Sequence, residues 1–240
     1  MGSRRARARF RTPADVSADL AMRTIGILGG IGPQATMDLE ARIHRVAQQF
    51  VTQHANTGYP PLVTVYMRHP PVLVNSDRRP LAPLAIDPRV LDTSRRLGEW
   101  AGFIVTPSNT PHLFLDAIQK ASGCKIISII DVTVEALRAR GADAVGLVGL
   151  GVPQIYVDRL PSEGLPAILR LMEGEDADGG RNAACEAVEE VRSAGAPVTV
   201  LDCTEIPLLL GDAAEADDLI NPAQLLAEAA VRFALDGSPG

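Results

Sequence analysis

Short apolar runs alternate along the chain with segments in which apolar residues recur every three or four positions. The apolar runs predict strands at 24–28, 61–67, 103–107, 125–130, 144–152 and 197–201. The segment 144–152 combines a strand with the Gly-rich loop that follows it. The periodic segments predict helices at 33–50, 87–102, 112–123, 132–141, 183–194 and 221–235. Because most predicted strands are apolar without alternating apolar and polar positions, the pattern indicates an α/β fold, with parallel sheets covered by helices on both faces.

A faint internal repeat divides the chain. The segment "GILGGIG" at 26–32 resembles "GLVGLG" at 146–151, and "AGFIVTPSNT" at 101–110 resembles "AGAPVTVLDCTE" at 194–205. Ligands of such folds bind at the carboxyl ends of parallel strands, where Ser108 and Cys203 are both predicted to lie. Two similar units facing each other would make these loops the two walls of one cleft. Chance similarity between Gly-rich turns is the alternative explanation.

The length, net charge and apolar runs of the chain argue against some classes of partner. A chain of 240 residues can form one large domain or two small ones with a buried core. The formal net charge is −6 and basic residues are scattered outside the N-terminal segment, so no nucleic-acid partner is expected. No apolar run approaches the ~20 residues of a membrane-spanning helix, so no membrane partner is expected. Residues 1–22 begin with a basic segment that no apolar signal region follows, and they are predicted to form a mobile tail.

The three cysteines, Cys124, Cys185 and Cys203, show neither CxxC nor metal-site spacing. Disulfides and a bound metal are therefore not expected, and a reducing cytoplasm is the predicted location. Cys203 follows an apolar strand and precedes Thr204 and Glu205. It is either a small core residue or a base or nucleophile whose thiol pKa a helix N-terminus lowers. The other two cysteines are predicted to be structural.

Two further loops carry candidate chemistry. The Gly loop "GIGPQA" at 30–35 fits a dinucleotide fingerprint weakly, because Pro33 removes an N–H group where phosphate would bind. A tight turn that requires glycine and a carboxylate site at the helix N-terminus are the other interpretations. In "PSNTPH", Ser108 and Thr110 could cap the following helix. His112 is predicted to be a packed, hydrogen-bonded residue rather than a general base.

The segments "IGILGGIGPQATMDL", "PSNTPH" and "CTEIPLLL" together resemble motifs of the aspartate/glutamate racemase family, and "INPAQLLAEAAV" resembles its C-terminal end. The likeness runs from about residue 24 to 236. It implies two pseudo-symmetric α/β domains, with the active site in the cleft between them. Their predicted bounds are 23–122 plus 216–240 for the N-terminal domain and 123–215 for the C-terminal domain. The family works without a cofactor, and a homodimer is its usual assembly.

The reaction that this resemblance implies needs one catalytic group on each side of the substrate. In the family a thiolate removes the α-proton of an amino acid on one face, and a thiol returns it on the other. The two family cysteines fall on Ser108 and Cys203, and hydrogen-bond donors around the substrate carboxylate stabilise the carbanion. The predicted substrate-binding residues are Gly30, Ile31, Gly32, Arg78, Asn109, Thr110, Thr204 and Glu205. By the resemblance, Asn109, Thr110, Thr204 and the Gly loop fall on the residues that bind the substrate carboxylate.

Three departures from the family pattern leave the reaction open. Ser108 replaces a catalytic cysteine, Met172 and Glu173 stand where aspartate-specific enzymes have a lysine, and "LVGLGV" lacks the usual threonines. The leading hypothesis is a cofactor-independent amino-acid racemase or epimerase that uses Cys203 as acid and base. The second is a lyase or isomerase with one thiol, acting on a small carboxylate. A non-catalytic binding protein and a nucleotide-binding oxidoreductase are weaker alternatives.

Overall fold

The computed structural model describes residues 22–51, 58–150, 154–162, 164–172 and 177–236, so the predicted N-terminal tail, except Met22, lies outside the described residues. All strand pairs in its sheets are parallel. One sheet has the order β2-β1-β3 and the other β5-β4-β6-β7. The strands are β1 Ile25–Gly29, β2 Leu62–Tyr66, β3 Phe103–Val105, β4 Val145–Leu150, β5 Ala167–Met172, β6 Thr199–Leu201 and β7 Leu219–Ile220.

Helices connect successive strands, as parallel pairing requires. They are α1 Pro33–Phe50, α2 Pro88–Gly98, α3 Leu115–Ser122, α4 Ile129–Ala139, α5 Gln154–Ser162, α6 Ala177–Ser193, α7 Ile206–Leu210 and α8 Pro222–Asp236. Two short 3₁₀ helices, Thr110–Phe114 and Gly211–Glu215, precede α3 and follow α7. The α/β class with parallel sheets flanked by helices is therefore confirmed.

The internal repeat has a counterpart in the topology. In each sheet the first strand lies in the middle, with the second strand on one side and the third on the other. Gly26 of β1 and Gly146 of β4 occupy the second position of their strands. A Cβ atom at Gly26 would lie 2.6 Å from the Ala101 side chain. One at Gly146 would lie 2.5 Å from Thr199 Oγ1. The first glycine of each repeat thus permits close packing.

A continuous hydrophobic core connects the two sheets. It includes Phe103 of the first sheet and Val200 of the second, together with the apolar face of α8. Helix α8 packs on both α1 and α4. The edge of the Phe233 ring packs against Phe103, with ring centroids 4.8 Å apart. The core therefore fixes the position of the first sheet relative to the second.

The structure corrects one predicted strand and adds elements outside the predicted ranges. Residues 125–130 do not form a strand; only Ile126 makes a bridge, with Ile104, and α4 begins at Ile129. The Ser128 hydroxyl caps α4 by accepting a hydrogen bond from the Asp131 N–H group. A cap inside an apolar run thus converts the expected strand into a helix start. The elements outside the predicted ranges are strands β5 and β7, helices α5 and α7, and the 3₁₀ helix Gly211–Glu215.

Candidate active site

Two strand-end loops meet where the sheets face each other. After β3, the Asn109 side chain donates hydrogen bonds from Nδ2 to the Asp202 carbonyl oxygen at 2.6 Å and to Asp202 Oδ1 at 2.8 Å. After β6, Thr204 Oγ1 donates to the Pro107 carbonyl oxygen at 3.3 Å. One contact therefore joins Pro107 to Thr204, and the others join Asn109 to Asp202. Ser108 and Cys203 are the residues between these contacts in their loops, so the contacts bring the two predicted catalytic positions near each other.

His112 holds the first loop in place. Its Nδ1–H donates to the Ser108 carbonyl oxygen at 2.8 Å, and its Nε2 accepts from the Ile129 N–H group at 3.1 Å. These two partners fix the neutral tautomer. Burial lowers the pKa of His112 from 6.5 to about 4. The prediction of a packed, hydrogen-bonded histidine is confirmed, and its role is to position the Ser108 backbone.

The Cys203 thiol is protonated and paired with an acid. Sγ donates a hydrogen bond to Glu205 Oε2 at 2.9 Å. Burial raises the pKa of the Cys203 thiol strongly, and the negative charge of Glu205 raises it further. The expectation of a pKa lowered by a helix N-terminus is therefore wrong. The following helix α7 has only five residues, and a neighbouring carboxylate opposes the ionised thiol.

Asp202 is the residue of the site that sequence reasoning missed. It is 3% exposed, and burial raises its pKa from 3.8 to about 7. Its N–H group donates to the Val148 carbonyl oxygen at 2.8 Å, which fixes Asp202 to the end of β4. A carboxylate directly before a strand-end cysteine was the available signal. Its partner Asn109 lies 93 positions away, so local spacing along the chain does not indicate the pairing.

The Gly loop lies against the second wall. Gly32 has φ 108°, in the left-handed region, so the tight-turn interpretation is confirmed. Thr36 Oγ1 closes the loop by accepting from the Gly30 N–H group at 2.9 Å and donating to the Gly32 carbonyl oxygen at 3.1 Å. A Cβ atom at Gly32 would lie 2.6 Å from Glu205 Oε1. The Gly loop and the pair of Cys203 and Glu205 are therefore direct neighbours.

The remaining predicted residues lie around these loops. Thr110 begins the 3₁₀ helix after Ser108, and Thr204 is buried and joins the two loops. Arg78 is exposed in the turn from Asn75 to Arg79, with φ 61°. Arg78 is not among the residues whose hydrogen bonds join the two strand-end loops. Glu173 lies outside the described residues, as does the loop 151–153 of the "LVGLGV" segment.

The other cysteines lie apart from this site. Cys124 is half-buried, its Sγ donates to the Ala101 carbonyl oxygen at 3.3 Å, and burial raises its pKa. Cys185 is exposed on α6. Within the described ranges, no group of at least three His, Cys, Asp or Glu side chains could hold a metal ion. No helix among the described residues is long and apolar enough to cross a membrane.

Comparison with known proteins places these features in a wider context. The sequence profile described as Asp/Glu/Hydantoin racemase matches residues 28–230. An aspartate racemase homologue from Pyrococcus horikoshii superposes with a TM-score of 0.65 at 20% sequence identity. That match covers 89% of this chain and 99% of the other.

Two further solved structures share the fold. Glutamate racemase from Francisella tularensis, in complex with D-glutamate, has a TM-score of 0.55 at 14% identity, covering 89% of this chain and 79% of that chain. Maleate cis-trans isomerase from Nocardia farcinica, with a covalently bound succinylcysteine intermediate, has a TM-score of 0.60 at 17% identity. It covers 89% of this chain and 93% of the other. At these identities the likeness is one of fold.

Proposed function

Because the chain belongs to the Asp/Glu/hydantoin racemase family, we propose that it is a cofactor-independent racemase or epimerase of amino acids. Cys203 is the proposed acid and base, and Ser108 occupies the opposite wall in place of a second thiol. The observation that carries the proposal is the pair of contacts, Asn109 with Asp202 and Thr204 with Pro107, that brackets these two residues. A substrate α-carbon between the loops would present one face to each.

The chemistry of the first step follows from the thiol and its partner. Glu205 Oε2, which already accepts the Cys203 S–H, takes that proton as the substrate binds. The thiolate then removes the α-proton, and the electron pair of the C–H bond moves into the substrate carboxylate to give an enediolate. The N–H groups of Ile31 and Gly32 make no hydrogen bond within the described residues. They are the proposed donors that stabilise this anion.

The second step is asymmetric. Returning the proton from the opposite face requires the Ser108 hydroxyl, which is a far weaker acid than a thiol, whose reference pKa is about 8.5. Return from Cys203 on the original face is easier, and it exchanges the α-proton with solvent without inversion. We therefore expect exchange at the α-carbon to be faster than racemisation.

A one-thiol lyase or isomerase is the second candidate, and the protonated Cys203 favours it. In a decarboxylation, carbon dioxide leaves with cleavage of a C–C bond, and the resulting carbanion needs only one acid. A protonated thiol supplies that proton without prior activation. The family contains both cofactor-independent racemases and related isomerases, and one structural neighbour is a maleate cis-trans isomerase.

The decisive experiment measures α-proton exchange in D₂O, by NMR, across a panel of D- and L-amino acids without added cofactor. The parent is expected to incorporate deuterium, and Cys203→Ala to lose incorporation. Cys185→Ala is the matched control because its thiol is exposed on α6, and it should leave exchange unchanged. Ser108→Cys is expected to increase racemisation relative to exchange. Absence of exchange with every amino acid would refute the proposal, and carbon dioxide release from malonates would support the second candidate.

Four finer features are proposed with this function: the domain division, the location, the assembly and the role of Arg78. The chain divides into domains at 23–122 plus 216–240 and at 123–215, with the site in the cleft between them. It acts in the cytoplasm as a homodimer, which light scattering of the purified protein would test. Arg78, on its exposed turn, contacts the bound substrate. Arg78→Ala would then raise KM with little change in kcat.

A further inference from the structure

Both hydrogens of the Asn109 amide are already used within the protein. Nδ2 donates to the Asp202 carbonyl oxygen at 2.6 Å and to Asp202 Oδ1 at 2.8 Å. An amide nitrogen carries two hydrogens and no acceptor lone pair. The Asn109 side chain therefore has no donor left for a ligand.

The orientation of this amide follows from its partners. One of them is a backbone carbonyl oxygen, which can only accept a hydrogen bond. A rotated amide would place Oδ1 against that oxygen and against the Asp202 carboxylate, so three acceptors would face each other. Asp202 is itself buried, and its N–H group is bonded to the Val148 carbonyl oxygen. The position of the acceptors is therefore fixed by β4 and β6.

The other end of the amide has no partner. Asn109 Oδ1 is buried and accepts no hydrogen bond in the structure, although Asn109 as a whole is only half-buried. A buried acceptor without a donor is unfavourable, and such atoms are uncommon unless a ligand or water completes them. It belongs to the residue next to Ser108, on the wall opposite Cys203.

We propose that Asp202 is a positioning residue that makes Asn109 an acceptor, so that the ligand group opposite Asn109 is the ammonium group of an amino acid. This inference rests on the proposed site and deepens it by naming the group recognised there. It changes the part of the Asn109 side chain, because the family resemblance placed Asn109 among the residues that bind the substrate carboxylate. A carboxylate has only acceptors, so it cannot pair with an amide oxygen.

The inference separates the two candidate functions. Amino acids carry three N–H donors on the α-nitrogen, whereas malonates and unsaturated diacids have none. A hydrogen bond from a charged donor that the site requires changes affinity by about ten- to a hundred-fold when the donor is absent. The site should therefore prefer an amino acid over the same molecule without its amino group.

The test measures binding by calorimetry for three matched pairs: aspartate with succinate, glutamate with glutarate, and alanine with propionate. The measurements are made at pH 8, where Asp202 is ionised because its pKa is about 7. At least one amino acid is expected to bind ten-fold or more tightly than its partner. Equal binding within every pair, tighter binding of the deaminated acids, or no binding of any amino acid would overturn the inference.

Variants at Asp202 test whether this residue positions the Asn109 amide or only supports the fold, with the preference for the amino acid as the measured quantity. Asp202→Ala leaves only the carbonyl oxygen of residue 202 to hold the Asn109 amide, so the preference for the amino acid should fall to about three-fold or less. Asp202→Asn keeps an acceptor oxygen for Asn109 and should retain most of the preference. The exposed Asp212→Asn is the control and should leave it unchanged. A preference that survives in Asp202→Ala would also contradict the inference.

α-Proton exchange on the same samples keeps the two claims apart. Exchange without a preference for the amino group would support the proposed function and refute the role of Asp202 and Asn109. A preference without exchange would support the inference and refute the proposed reaction.

Discussion

The two strand-end loops occupy equivalent places in two sheets whose first three strands have the same order, yet their chemical environments differ. The loop after β3 carries a hydroxyl at Ser108, and its backbone is held by a neutral, buried histidine. The loop after β6 carries a thiol at Cys203 between two carboxyl groups, Asp202 and Glu205. One wall is therefore uncharged, and the other concentrates the titratable groups.

This difference shows that two repeats can keep the same backbone geometry while the titratable groups lie in the loop of only one repeat. The positions of Ser108 and Cys203 follow from strand order and from the contacts between the loops. Their reactivity follows from burial and from the nearest acid or base, which the two halves do not share. Each prediction below changes one side of that comparison.

The largest effect, on the rate of α-proton exchange, is expected when Cys203 is replaced so that both strand-end loops carry a hydroxyl. Cys203→Ser removes the acid and base of the second wall, and such groups contribute about 10²–10⁴-fold to rate. The exchange of α-protons in D₂O should fall by that factor, whereas Ser108→Ala should reduce it much less. Equal losses in the two variants would contradict a one-sided site.

The next effect concerns Asp202 and stability. Its pKa is raised from 3.8 unfolded to about 7 folded, so its destabilising effect is absent below pH 4 and complete above pH 7. At about 1.4 kcal/mol per pKa unit, this destabilisation is on the order of 4 kcal/mol. The neighbouring titratable groups Cys203 and Tyr156 both have raised pKa values and stay neutral in this window.

Asp202→Asn should therefore remove a fall in unfolding free energy between pH 4 and pH 7, measured by urea denaturation. The exposed Asp212→Asn should stay within about 0.5 kcal/mol of the parent at each pH. If the parent and Asp202→Asn have parallel pH profiles, Asp202 does not titrate in this window.

His112 on the other wall should show the opposite slope. Its pKa falls from 6.5 unfolded to about 4 folded, so its contribution is complete above pH 6.5 and is lost as pH falls to 4. The loss is on the order of 3 kcal/mol. His112→Gln should flatten this acid limb in urea denaturation, at some cost in stability at neutral pH. The exposed His44→Gln is the matched control, and an unchanged acid limb in His112→Gln would refute the assignment.

The smallest effect concerns the charge beside the thiol. Glu205→Gln removes the carboxylate that raises the Cys203 pKa, although burial remains the larger cause. Alkylation of Cys203 by iodoacetamide at pH 8 should accelerate on the order of ten-fold, as followed by peptide mass spectrometry. The exposed Cys185 provides an internal control at an unchanged rate. An unaltered Cys203 rate would show that burial alone sets its pKa.

Much of the architecture could be predicted from local pattern. Largely apolar runs without alternation, such as 24–28 and 103–107, predicted buried parallel strands, because both faces of such strands pack against helices. The run 125–130 failed because the Ser128 cap and the backbone bond from Ile129 to His112 Nε2 favour a helix start. Strand β7 has two residues, and so short an element leaves no periodic signal.

The sequence by itself determined the strand-end positions of Ser108 and Cys203 and the glycine turn before α1. These depend on residues close in the chain: an apolar strand, a loop and a helix start. Only the tertiary structure decided that Asp202 holds the Asn109 amide across 93 positions, and that Cys203 is a protonated thiol beside Glu205. Hydrogen-bond direction and pKa depend on burial and on partners brought together by folding, and spacing along the chain carries neither.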